Sequence, residues 1–182
     1  MSGSTPKAAL MVASSLALAL RADPARGFER EWHLGGGVGL ASAASGYGLG
    51  PALGLHAAYG ISDVFDARLE LSGSHHTYEL GEAEESTEIF SVAALLSYKI
   101  DIIAWVPHFG AGFGYFHFTK APPADSAFRR DDVGLALELG LDYAVSRNFG
   151  LGIGAHFDMP FNEIGAARYF ALLLRGEYRW GW

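Results

Sequence analysis

Nine charged residues offer the first candidates for chemistry: Asp66, Arg68, Glu70, Lys99, Glu138, Asp142, Arg175, Glu177 and Arg179. Within each stretch they step by two or four, so each set projects from one face of an extended segment. Five acids and four bases brought together in a narrow interior must pair, because an unpaired buried charge costs several kcal/mol. That set predicts an ion-paired polar core. Ser72, Ser74 and His76, with His156 and Asp158, supply the residue types of an acyl-transfer site. His75 and His76 with Glu79, Glu82, Glu84 and Glu85 offer loose metal ligands, although a solvated acidic loop is the preferred reading. His33, His56, His76, His108 and His156 share inward parity. Their heights scatter along the fold, so convergence on one tetrahedral ion is not expected. No metal and no cofactor is expected. The glycine runs at 35–39 and 110–114 precede no helix, so they lack the anion-binding helix terminus of a phosphate cradle.

These side chains must be carried by strands. From Glu31 onward the hydrophobic period is two. Eight runs alternate, marked by Trp32 to Leu40, Leu53 to Ile61, Phe65 to Leu71, Phe90 to Ile100, Phe109 to Tyr115, Val133 to Val145, Phe149 to Phe157, and the last sixteen residues. Short links at 62–63, 101–104 and 146–148 alternate with long ones at 43–50, 74–86, 119–130 and 160–166. Such alternation puts every long link at one end of a meander. The nine charges are expected in the half nearest the short links. Strands three and seven fall on opposite walls of an eight-strand ring, which keeps Ser72, Ser74 and His76 from His156 and Asp158.

Composition decides which face is which. The non-apolar face is mainly Gly, Ala and Ser, whereas a solvated face should carry many Lys and Glu. Bulky apolar residues on all eight strands would overfill an eight-stranded lumen. The large side chains therefore point out to lipid. Tyr59, Tyr98, Tyr143, Trp105, Trp180 and Trp182 then gather near the short links as an aromatic girdle. A net charge of −7 argues against nucleic acid, and the absence of Cys excludes disulfides and thiolate metal sites. Near the start, Lys7 precedes an apolar run at 8–20, with Ala17-Leu18-Ala19 as a small-residue cleavage site. The expected organisation is a signal peptide at 1–22, a short segment at 23–30 and one barrel at 31–182.

One stretch carries a likeness. Residues 98–115 join a hydrophobic strand, a short turn and the run Val106-Pro107-His108-Phe109-Gly110-Ala111-Gly112-Phe113-Gly114. With the turn Tyr59-Gly60-Ile61-Ser62-Asp63 and the terminal Tyr178, Trp180 and Trp182, the chain resembles the small eight-stranded outer-membrane proteins, the group of OmpX and the OmpA membrane domain. The resemblance implies an all-β fold, a closed eight-stranded antiparallel up-and-down transmembrane barrel. It would sit in the outer membrane of a Gram-negative bacterium, with loops extracellular and termini periplasmic. It also implies that Tyr178, Trp180 and Trp182 are an assembly signal for periplasmic chaperones and the barrel-assembly machinery. The expected role is structural or surface-interactive, for a monomer with a plugged lumen that is not an enzyme. Outer-membrane lipid and lipopolysaccharide are the expected partners, with lipopolysaccharide phosphates met by Lys120, Arg129 and Arg130 in the third long loop. The alternatives are a narrow pore for small or apolar solutes and a lipid A-modifying barrel enzyme. For the latter, no Ser follows His156 at two residues, as a deacylase-like pattern would require.

Overall fold

The computed structural model describes residues 29–43, 47–80, 83–100, 102, 104–120, 130–162 and 168–181. The expected signal peptide, Arg129 and Trp182 lie outside the described residues. Eight strands follow in chain order: β1 (Trp32–Ala43), β2 (Gly50–Gly60), β3 (Phe65–Leu80), β4 (Ala83–Lys99), β5 (Trp105–Phe118), β6 (Asp131–Ala144), β7 (Phe149–Pro160) and β8 (Tyr169–Trp180). Each pairs antiparallel with the next, and the ring closes where β1 meets β8, from Trp32↔Trp180 to Ala43↔Tyr169. Closure leaves no sheet edge around the ring, which satisfies backbone groups that lipid cannot.

The two faces separate cleanly. On β8, Leu174 is 68% exposed while Glu177, three residues on, is 2% exposed. Leu34, Val38, Leu53, Leu69, Phe113 and Leu139 face outward with Leu174. An apolar belt this continuous requires a hydrocarbon surround. At the short-link end, Trp32 packs on Tyr59 with ring centres 4.9 Å apart, Phe65 on Tyr98 at 5.3 Å and Trp105 on Tyr143 at 4.9 Å. Ten residues of β3 separate Phe65 in this girdle from outward-facing His75. At ~3.3 Å per residue and a tilt of ~40°, that lifts His75 ~25 Å, the height of a full apolar band.

One expected link is not a loop. Residues 74–86 read as a long connection, but β3 continues to Leu80 and β4 begins at Ala83, with pairing unbroken from Ser74↔Ile89 to Leu80↔Ala83. β2 leaves β3 at Ala52↔Ser74, and β5 leaves β4 at Ile89↔Phe118. Residues 75–80 and 83–88 therefore stand as a two-stranded ribbon beyond the ring. The hydrophobic period fades there because neither face of the ribbon meets hydrocarbon, while Thr77, Tyr78 and Thr87 keep strand preference.

The interior has two storeys. Toward the long links it is apolar: Tyr47, Tyr78, Ile89, Phe116, Phe118, Tyr169 and Leu173 pack together with four alanines. The inner face of β5 changes from Gly110, Gly112 and Gly114 to Phe116 and Phe118 along one parity. Toward the short links the interior is ionic.

Candidate functional site

Register builds the ionic storey. Paired across neighbouring strands are His33↔Arg179, His56↔Glu70, Lys99↔His108 and Glu138↔His156. Two carboxylates organise the whole. Glu177 accepts from His33 Nδ1 at 2.9 Å, His56 Nε2 at 3.0 Å and Arg179 Nε at 2.8 Å. An ionised carboxylate has no proton to donate, so those ring nitrogens carry hydrogens. Glu138 Oε1 accepts from Arg68 Nη1 at 2.7 Å, from His108 Nε2 at 3.1 Å and from Arg175. Lys99 Nζ lies 2.6 Å from Asp66, and Arg68 reaches Glu70 at 3.6 Å. Asp142 takes Arg175 Nε and His108 Nδ1, each at 3.5 Å. His156 Nδ1 sits 3.1 Å from Glu70.

Asp66, Arg68, Glu70, Lys99, Glu138, Asp142, Arg175, Glu177 and Arg179 thus share one interior, and all but Glu70 are buried. Four histidines, His33, His56, His108 and His156, belong to the same network, as their inward parity allows, although heights estimated from the sequence scatter them along the fold. Their heights follow from the strand register, which one chain's alternation does not contain. His76 stands away from them in the apolar storey, between Tyr47 and Tyr169.

Three chemistries can be weighed against this geometry. Ligand atoms of Glu70, Glu138 and His156 fall within 4.8 Å of one another, a cation-sized group. Arg68 and Arg175 already occupy Glu138, and a guanidinium does not deprotonate to yield its place. The site is charge-balanced by protein and suits a structural core better than a metal centre. A nucleophile–base pair also exists. Ser74 Oγ lies 2.8 Å from His76 Nε2, and His76 Nδ1 donates to the Gly48 carbonyl at 2.8 Å. Both side chains are buried. His156 of β7 reaches across the lumen to Glu70 of β3, so opposite walls do not by themselves keep the two sets apart. Among the described residues no hydrogen bond joins His156 or Asp158 to Ser72, Ser74 or His76, and the acyl-transfer candidates are not assembled. The Ser74–His76 pair instead pins the link at Gly48 to β3. Ser72 bonds Ser91 across the β3–β4 pairing at 2.7 Å. Finally, the cavity between His56, Glu70, His156 and Arg175 measures about 20 Å³, room for about one water.

The loop candidates lie on the ribbon and its neighbour. Lys120 Nζ meets Glu85 at 3.1 Å, and the backbone N–H of Lys120 donates to Thr87 Oγ1. The carbonyl of Arg130 accepts from Phe118 N at 2.8 Å. The side chains of Glu79 and Glu84, and all of Glu82, lie outside the described residues. Hydrogen bonds from Lys120 and then Tyr78 hold the Glu85 carboxyl below its usual range. A lowered carboxyl adds stability above its unfolded pKa and loses it as pH falls through the folded one. Lys120→Ala should return Glu85 toward an ordinary carboxylate in an NMR titration and leave the melting temperature almost unchanged, as for other exposed pairs. An unmoved Glu85 titration would contradict the pairing. Tyr178 and Trp180 face outward near the short-link end of β8, their rings stacked at 5.9 Å.

Solved structures repeat the architecture. OprG of Pseudomonas aeruginosa superposes with a TM-score of 0.67 and 16% identity, covering 88% of this chain and 100% of its own. Neisserial surface protein A gives 0.60 and 19%, over 85% and 98%. Ail, the attachment invasion locus protein of Yersinia pestis, gives 0.59 and 16%, over 84% and 99%. At these identities the likeness is one of fold. No curated protein matches the chain by sequence. The profile of the outer membrane protein beta-barrel domain matches residues 8–163. A closed ring with a lipid-facing belt, together with that match across most of its length, makes this chain a member of the outer membrane protein beta-barrel family, a resident of the Gram-negative outer membrane.

Proposed function

We propose that the protein is a sealed membrane anchor whose long-link end works as a surface for interaction. The observation that carries this reading is the filled lumen. An ionic storey and an aromatic storey occupy it in series, with a cavity of about 20 Å³ in the ionic one. The long links and the 75–88 ribbon then face outside the cell, and both termini face the periplasm. Lys120 and Arg130, with Arg129, would meet lipopolysaccharide phosphates. The terminal aromatics Tyr178, Trp180 and Trp182 would serve as the tail read by chaperones and the barrel-assembly machinery. A surface role has a parallel in Ail, which has been solved in complex with the heparin analogue sucrose octasulfate.

Planar-bilayer recording tests the seal: the wild type should give no sustained single-channel steps, and resolved steps would establish the pore reading instead. Catalysis is the second reading, because the outer membrane enzyme PagL shares the fold at a TM-score of 0.50 and 14% identity, over 80% of this chain and 97% of its own. Mass spectrometry of lipid A separates the two. The anchor reading expects the same lipid A masses with and without expression. A mass change abolished by His156→Ala or Ser74→Ala would establish an enzyme.

A further inference from the structure

An unpaired acid lies between the two storeys of the lumen. Asp158 of β7 faces inward at 5% exposure, beside Tyr169 on β8 and Ala136 on β6. The five acids of the ionic storey are each paired with a base. Among the described residues no hydrogen bond and no ion pair reaches the Asp158 carboxylate. The groups around it do not supply the missing partner. His156, two residues before it on β7, is taken by Glu70 of β3 at 3.1 Å. Glu70 is itself an acid, and its charge opposes that of Asp158. On β6, Glu138 below Ala136 already holds Arg68, His108 and Arg175, and Asp132 above accepts from the Asn162 backbone at 2.9 Å. On β8, Tyr169 is neutral and packs edge-on against His76 of β3, ring centres 6.3 Å apart. His76 is engaged by Ser74 Oγ and by the Gly48 carbonyl.

We propose that Asp158 is a protonation-controlled latch on the aromatic storey. As the neutral acid it packs as a small polar side chain, and the storey stays dry. As the anion it meets no base, and a carboxylate left unpaired in such surroundings costs far more than the acid. The anion lowers that cost by drawing water down from the long-link end, which loosens Tyr169. Tyr169 packs on His76, and His76 donates to the Gly48 carbonyl at 2.8 Å. Loosening therefore reaches the link that carries Tyr47 into the storey, where Tyr47 lies 6.1 Å from the His76 ring. The long-link end is held tightly while Asp158 is protonated and loosely once it is ionised. This inference stands apart from what the long-link end binds and from whether the lumen conducts.

Asp158→Asn, which keeps the shape and carries no charge at any pH, tests it. An acid that is harder to ionise in the folded chain than in the unfolded one adds stability while protonated and withdraws it as pH rises through its titration. In urea titrations in lipid vesicles the variant should match wild type at about pH 5 and exceed it at about pH 8. The ionic storey is common to both proteins, so its own pH dependence cancels in the difference. Hydrogen exchange gives the local readout. The Gly48 amide donates to the Thr77 carbonyl at 2.8 Å. Corrected for intrinsic rate, its protection in wild type should fall about tenfold from the lower pH to the higher, the effect of one pH unit of titration. Asp158→Asn should abolish that fall. The wild-type exchange measurement decides the matter alone if the variant does not refold. The same difference between the two proteins at both pH values would overturn the proposal, as would Gly48 protection that does not change with pH. Calcium that raises the wild type to the variant's stability at the higher pH would also overturn it, by making Asp158 a cation ligand.

Discussion

Glu138→Ala should destabilise the barrel by about 3–5 kcal/mol, the range for removing one partner of a buried ion pair. Glu138 lies at the crossing of β3, β5 and β8 chemistry, where Arg68, His108 and Arg175 converge on its Oε1. Removing the carboxylate leaves two guanidiniums facing each other in a closed tube. Arg175 keeps Asp142 at 3.5 Å and Glu177 at 3.6 Å, and Arg68 keeps Glu70 at 3.6 Å and Asp66 at 3.9 Å. These are longer contacts than the one lost by Arg68. Glu138→Gln, which keeps an acceptor and loses the charge, should fall between the alanine variant and wild type. Urea titrations in lipid vesicles, followed by tryptophan fluorescence and the heat-dependent gel shift, give the ordering. A loss below about 1 kcal/mol for Glu138→Ala would mean that the network is solvated and the lumen is not sealed.

Gly112→Val should be at least as damaging, for a steric reason. Gly112 faces the lumen on β5 opposite Leu95 on β4. A Cβ built there would fall onto the backbone carbonyl of Ala94, well inside van der Waals contact. That carbonyl belongs to the paired strand and cannot swing aside as a side chain could. The two strands must separate or the register must shift, and a shift of one residue turns every lipid-facing side chain inward. Overpacking in cores costs about 1–3 kcal/mol, and a backbone obstacle belongs at or beyond the top of that range. The variant should fail to regain the compact, heat-modifiable form on refolding into detergent. Gly73→Ala is the control. Its Cβ would meet the Phe90 ring at 3.4 Å and the Ile89 carbonyl at 4.0 Å, ordinary contacts, and refolding should proceed as in wild type. Normal refolding of Gly112→Val would show that β4 and β5 do not approach so closely.

Strand count, closure and the identity of the outer face were legible before any coordinates, because lipid imposes a period of two that a single chain displays. The nine charged positions of the lumen were legible for the same reason: charge on the inner parity of a lipid-facing strand has one place to go. The aromatic storey was not. Phe116 and Phe118 follow the same inner parity as Gly110 and Gly112, but their apolar chemistry resembles that of the belt. The 75–88 ribbon was read as a loop because its polar residues carry no hydrophobic signal outside the membrane.

The sequence by itself therefore determined a transmembrane barrel, its lipid face, its aromatic girdle and the inward parity of its nine charged lumen residues, but not that four histidines join them. Alternation records burial against hydrocarbon, and burial is a property of each residue singly. Only the tertiary structure decided that Glu177 bridges His33 and His56, that Glu138 is shared by Arg68, Arg175 and His108, and that Asp158 faces Tyr169 with no base beside it. Those are relations between strands. They depend on the register at which neighbours pair, which the alternation of a single strand does not contain.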